Sequence, residues 1–150
     1  MLIRTHISIT IFALLLVLHF YSFSSEVSLI VFFVFAIFST MLPDIDTSKS
    51  RIGKFVFLRP LQYFAGHRKG FHSLFFVLVA GLLISIFSEL VAWAFVLGYG
   101  LHILADCFTI TGISLFYPFS RVFRGPFKSG GKSDLIVFFL FLILDFILVF

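Results

Sequence analysis

Six of the twelve histidine, aspartate and glutamate residues of this 150-residue chain fall in three short stretches. "LPDID" at 42–46 supplies Asp44 and Asp46, "GHRKGFHS" at 66–73 supplies His67 and His72 around Arg68 and Lys69, and "YGLHILAD" at 99–106 supplies His102 and Asp106. A further histidine, His6, stands near the start. Imidazole nitrogens and carboxylate oxygens brought together form a donor set for zinc, manganese or iron. His102 and Asp106 are spaced i, i+4, so on a helix they lie on one face about a turn apart. An aspartate inside an apolar segment is costly and marks a functional interior.

The elements that must position these groups are apolar. Of the residues, 61% are hydrophobic and 12% charged, and the mean hydropathy is +1.17. A soluble domain of this size would not tolerate that composition, so the expectation is an all-α integral membrane protein. Apolar segments near 7–25, 27–42, 73–88, 90–107 and 135–150 give about five transmembrane helices. Ser24, Ser25 and Glu26 separate the first two segments, and Ser88 and Glu89 the third and fourth, so the expected arrangement is two hairpins plus a C-terminal helix. The first segment follows a lone Arg4 and has no small-residue cleavage site after it, which reads as a retained helix. The single Cys107 excludes an intramolecular disulfide and any thiolate metal motif. Residues 1–150 read as a single membrane-embedded domain with polar loops near 43–72 and 108–134, where chemistry is expected to sit.

Lysines and arginines set the expected orientation. Lys49, Arg51, Lys54, Arg59, Arg68 and Lys69 fall in the first long loop, and Arg121, Arg124, Lys128 and Lys132 in the second, while the short turns carry none. The positive-inside rule then puts the N-terminus and both basic loops in the cytoplasm and the C-terminus outside. On this topology Asp44 and Asp46 end the second helix, His67 and His72 precede the third, His102 and Asp106 end the fourth, and His6 begins the first. All are predicted to meet at the cytoplasmic leaflet. The expected ligand set is therefore His6, Asp44, Asp46, His67, His72, His102 and Asp106. Taken singly, each has a plainer role: a PDxD turn often only ends a helix, and interfacial histidines need no partner. His19, some 20 Å along the first helix from His6 at 1.5 Å per residue, reads as a hydrogen-bonding residue of the bundle interior rather than a ligand, with Asp145 one candidate partner. Asp134 reads as the cap of the last helix.

With these residues in view, the chain resembles the LexA-regulated, membrane-bound metal-dependent hydrolases, the YdjM-like inner membrane proteins. The resemblance covers most of the chain and rests on His6, "LPDID", "GHRKGFHS", "LGYGLHILAD" at 97–106, and "TGISLFYPFS" followed by "FR" at 111–124, in the family's order. Lys69 stands where the family's central motif has glycine, and Phe71 where it has threonine. The resemblance implies a hydrolase using a divalent metal.

A bound ion would lower the pKa of a coordinated water toward neutrality, and the number of ligands allows one ion or two. Zinc is the first expectation, with manganese or iron as alternatives. Arg68 is placed to stabilise charge on a phosphoryl group, and Asp46 or Asp106 is the expected general base. A pocket at the cytoplasmic leaflet is reached most easily by a membrane lipid, so a phospholipid or lipid-linked phosphoester is the expected substrate. Two other classes stay open: an ion or proton transporter, and a noncatalytic scaffold whose metal staples helix ends. Nucleic acid is not an expected partner, because the cations follow topology and no recognition module is present. "GPFKSGGKSD" misses the spacing of a phosphate-binding loop and has no strand before it.

Overall fold

The computed structural model describes residues 1–46, 70–119 and 121–150, with the side chains of residues 45 and 46 outside the description. The described residues form five α-helices and no strand: α1 (Ile3–Phe20), α2 (Glu26–Met41), α3 (Leu74–Ser85), α4 (Glu89–Cys107) and α5 (Lys132–Val149), with a 3-10 turn over Leu42–Asp46 after α2. Each apolar segment of the sequence is thus a helix.

Serines start the helices that follow the short turns. Ser25 caps α2 through a reciprocal box with Ser28, Ser88 caps α4 by accepting from the Val91 N–H, and Ser73 caps α3 by accepting from Phe76. Each satisfies a backbone donor that the first turn leaves without an intrahelical partner. Glu26 and Glu89 then place negative charge at the positive ends of their helix dipoles.

The last helix starts differently from expectation. Gly131 is the residue before its first turn, and Asp134 sits inside that turn, fully buried. Its Oδ2 accepts from the backbone N–H of Gly130 at 2.9 Å and of Leu2 at 3.2 Å. Gly130 has a left-handed φ of 71°, a conformation open to glycine at little cost, and its N–H turns back toward the carboxylate. Asp134 is therefore a clamp between the start of α5 and the start of α1 rather than a helix cap.

Packing crosses the hairpins. α4 is the central helix and touches α1, α2 and α3, and α2 packs against α4 more extensively than against its hairpin partner α1. α5 rests on α1. Two apolar clusters hold these contacts: Leu14, Phe32, Ala36 and Ala94 between α1, α2 and α4, and Val77, Phe95, Tyr99, Ile103 and Ile113 between α3, α4 and the loop after α4. Outward faces carry exposed apolar side chains such as Leu82, Trp93, Ile136 and Phe139, a surface suited to hydrocarbon.

α1 and α4 are long and apolar enough to cross a membrane. α5 is as long as α1 but carries Lys132, Asp134 and Asp145. α2 and α3 are shorter, with 16 and 12 residues; at 1.5 Å per residue α3 reaches only about 18 Å. The turn at 86–88 ends α3 three residues before the expected boundary, because Ser88 is committed to capping α4.

Candidate metal centre

The alternating direction of the helices brings the start of α1, the end of α2, the start of α3 and the end of α4 to one end of the bundle. His6 comes from the first turn of α1, Asp44 from the 3-10 turn after α2, His72 from just before α3, and His102 and Asp106 from the last turns of α4. His6, His72, His102 and Asp106 are buried, and Asp44 is partly exposed. Of the expected ligands the structure thus gathers five. His67 and Arg68 lie outside the described residues, as does the side chain of Asp46.

Asp106 is the hub. Its Oδ1 lies 3.4 Å from His6 Nε2 and 2.5 Å from the α-amino nitrogen of Met1. Its Oδ2 lies 3.8 Å from both His72 Nε2 and His102 Nε2. His102 Nε2 is also 3.8 Å from Asp44 Oδ1. The ligand atoms of His6, His102 and Asp106, and those of Asp44, His72 and His102, each fall within 4.8 Å of one another.

The tautomer of His102 follows from its neighbour. His102 Nδ1 is 2.7 Å from the Thr40 carbonyl oxygen, which has no proton to give, so the ring nitrogen donates. The lone pair is then on Nε2, the atom that faces the carboxylates. Thr40 is itself held: its hydroxyl donates to Ala36 O at 2.9 Å, and Thr10 donates to that hydroxyl across α1 and α2 at 2.9 Å. A carbonyl orienting a histidine through its far nitrogen is the usual support of a metal-binding imidazole.

Donor chemistry fits a divalent cation. His6 is 1% exposed, yet its Nδ1 makes no hydrogen bond and its Nε2 has the Asp106 carboxylate only at 3.4 Å, while His102 Nε2 makes no hydrogen bond. Buried polar atoms are otherwise almost always satisfied. Mixed nitrogen and oxygen donors of this kind suit zinc, manganese or iron.

The loop after α4 closes this end of the bundle. The Thr109 hydroxyl donates to the Asp106 carbonyl at 2.8 Å, Ile113 and Phe123 exchange backbone hydrogen bonds at 3.0 and 2.9 Å, and Leu74 N donates to Leu115 O at 2.8 Å. An open surface groove of about 560 Å³ lies along this loop, lined by the exposed side chains of Phe116, Phe119, Arg121 and Phe123 and by Pro118.

Two expectations fail at the opposite end. His19 is exposed, with its ring edge on Phe20, and no ion pair joins it to Asp145 among the described residues. It lies in the last turn of α1. Thr10, Thr40 and the clamp role of Asp134 had no motif to reveal them. The available signal was the occurrence of hydroxyls and a carboxylate in segments that must be buried among apolar neighbours.

A helical bundle with outward apolar faces and a buried histidine–carboxylate cluster at one end defines a membrane protein with a candidate metal centre. The chain belongs to the YdjM inner membrane protein family, whose model matches residues 1–149. It is 31% identical over 103 residues to the uncharacterized protein YvsG of Bacillus subtilis, covering 65% of this chain and 64% of that protein. It is 34% identical over 110 residues to inner membrane protein YdjM of Escherichia coli, covering 66% of this chain and 55% of that protein, and equally to YdjM of Shigella flexneri. The match thus spans less than two thirds of the length of each relative. No solved structure matches the chain.

Proposed function

We propose that this protein is a membrane-bound, metal-dependent hydrolase acting at the cytoplasmic leaflet on a phospholipid or lipid-linked phosphoester. The observation that carries the proposal is the convergence of His6, Asp44, His72, His102 and Asp106 on one buried cluster. When bound, a divalent ion supplies Lewis acidity and acidifies coordinated water. His72, His102 and Asp44 would hold it, and the Thr40 carbonyl keeps His102 in the tautomer that can bind. Asp106, or Asp46 beside it in the proposed set, would take the proton from the attacking water. Arg68, next in sequence to His67, would meet the charge that develops on the phosphoryl oxygens.

A lipid substrate is supported by the position of the cluster at the bundle end and by the neighbouring loop. The open groove along it combines exposed aromatic side chains with Arg121, a combination compatible with an acyl or isoprenoid segment beside a phosphate. Against a transport path stands the apolar packing of Leu14, Phe32, Ala36 and Ala94, which fills the bundle between α1, α2 and α4. The decisive experiment is purification in detergent, elemental analysis, and a screen of phospholipids and lipid phosphates. Cleavage that a chelator abolishes and zinc or manganese restores is expected; bound metal with no cleavage of any of these lipids would favour the scaffold.

Arg68→Ala is expected to keep its metal while turnover falls on the order of a hundredfold, the usual cost of removing one donor aimed at transition-state charge. Metal content and kcat on the same preparation check this. Loss of metal from that variant would instead give Arg68 a structural role.

The proposed topology has five spans, with the N-terminus and both basic loops cytoplasmic and the C-terminus outside. A single cysteine placed at the exposed Lys128 in a Cys107→Ser background is expected to resist a membrane-impermeant maleimide in intact cells and to react once they are opened. Labelling in intact cells would invert the topology.

A further inference from the structure

We propose that the cluster is a dinuclear centre bridged by Asp106, in which His72, His102 and Asp44 serve one ion and His6 serves the other. This rests on the metal-centre reading above and adds the number of ions and the division of ligands between them.

Donor-atom distances alone would place His6, His102 and Asp106 on one ion. The ring planes decide otherwise. The His6 and His102 imidazoles are stacked, with centroids 3.9 Å apart and planes 8° from parallel. The lone pair of an imidazole nitrogen lies in the plane of its ring, and parallel planes share no point. An ion midway between these two rings would stand roughly 2 Å out of each plane, about the length of a whole Zn–N bond. Neither lone pair would point at it. Two ions, each in the plane of one ring, meet both lone pairs, and the ring separation matches the spacing of about 3.5–4 Å between the ions of two-metal hydrolytic sites.

His72 stands in a different relation to His102. Its ring is tilted 67° to that of His102, with centroids 5.6 Å apart, so the two planes intersect and their lone pairs can converge on one position. Asp44 Oδ1 flanks the same His102 nitrogen. His102 itself cannot bridge two ions, because its Nδ1 proton is committed to the Thr40 carbonyl and only Nε2 is left to bind.

The carboxylate of Asp106 is divided to match. Oδ2 faces the His72 and His102 nitrogens, and Oδ1 faces His6 at 3.4 Å and the Met1 α-amino nitrogen at 2.5 Å, a contact the second ion would displace. A carboxylate with one oxygen toward each ligand group has the geometry of a bridge, and in that role it leaves general-base duty to Asp46, the other member of the proposed pair. Among the described residues, the His6 position has fewer protein donors than the other.

The test needs no substrate. The full-length protein, purified in detergent and stripped with a chelator, is loaded with Mn²⁺, then followed by elemental analysis and by electron paramagnetic resonance. Two ions per chain and the spectrum of an exchange-coupled pair are expected. His6→Ala should hold one ion and show the spectrum of an isolated Mn²⁺, whereas His19→Ala, altered at the other end of α1, should match the wild type. One ion per chain with an uncoupled spectrum in the wild-type protein would overturn the dinuclear assignment and leave a mononuclear centre standing. No bound ion at all would remove the metal centre and the hydrolase together. Two coupled ions in His6→Ala would overturn the role given to His6. Should that variant misfold, the wild-type spectrum alone decides the number of ions.

Discussion

His102→Ala is expected to lose metal affinity by more than about a hundredfold and to bring lipid hydrolysis down to background. The lower bound comes from residues that only orient a ligand, whose loss typically costs 10- to 100-fold; His102 supplies the ligand atom itself. His102 Nε2 lies within 3.8 Å of carboxylate oxygens from both Asp44 and Asp106, so its loss takes a nitrogen donor from between them. A second cost falls on the fold. The Thr40 carbonyl loses its 2.7 Å donor, and an unsatisfied buried acceptor costs about 1–3 kcal/mol. Elemental analysis after dialysis against a weak chelator, with thermal unfolding in the same detergent, separates the two effects. Full metal content in His102→Ala would remove the residue from the centre.

Gly98→Ala is expected to destabilise the protein by about 3 kcal/mol or more, at or above the usual ceiling for overpacking. A methyl group built at Gly98 would stand 2.0 Å from the Ala36 carbonyl oxygen and 3.0 Å from the Thr40 hydroxyl. The obstacle is backbone, which has no rotamer with which to give way, so α2 and α4 would have to separate by roughly an ångström or more. Small residues permit such close helix approach within membranes. Gly98 lies one turn before His102, so the same displacement would stretch the Thr40–His102 hydrogen bond and weaken metal binding together with the fold. Gly100 is the control: a methyl group there meets nothing within 4 Å. Gly100→Ala should be neutral or stabilising by up to about 1 kcal/mol, because alanine restricts the unfolded chain and favours the helix. Unfolding of the two variants in one detergent checks the contrast, and equal stability would mean that the α2–α4 contact relaxes freely.

Much of this architecture is legible in the chain without coordinates. Apolar runs broken by Ser25–Glu26 and Ser88–Glu89 locate the helices because a serine cap and a first-turn acid are local requirements, met by residues adjacent in sequence. Antiparallel hairpins fix which ends share a depth, so His6, Asp44, His72, His102 and Asp106 could be assigned to one end by counting alone. The i, i+4 spacing of His102 and Asp106 is likewise a property of one helix. Where local rules compete, they mislead. Asp134 follows the pattern of a cap, yet Gly131 starts the helix and the carboxylate turns to Gly130 and Leu2.

What the sequence determined by itself is helix content, the depth of the polar groups and the type of donor offered, because hydropathy, capping and helical period act over a few neighbouring residues. What only the tertiary structure decided is how those donors face one another. The stacking of His6 on His102, the tilt of His72 and the division of Asp106 between its two oxygens depend on rotations of α1, α3 and α4 about their axes. Those rotations are set by contacts between residues far apart in the chain, such as Gly98 against Ala36 and Thr10 against Thr40. A donor's depth follows from its place in one helix, whereas its aim follows from packing among several.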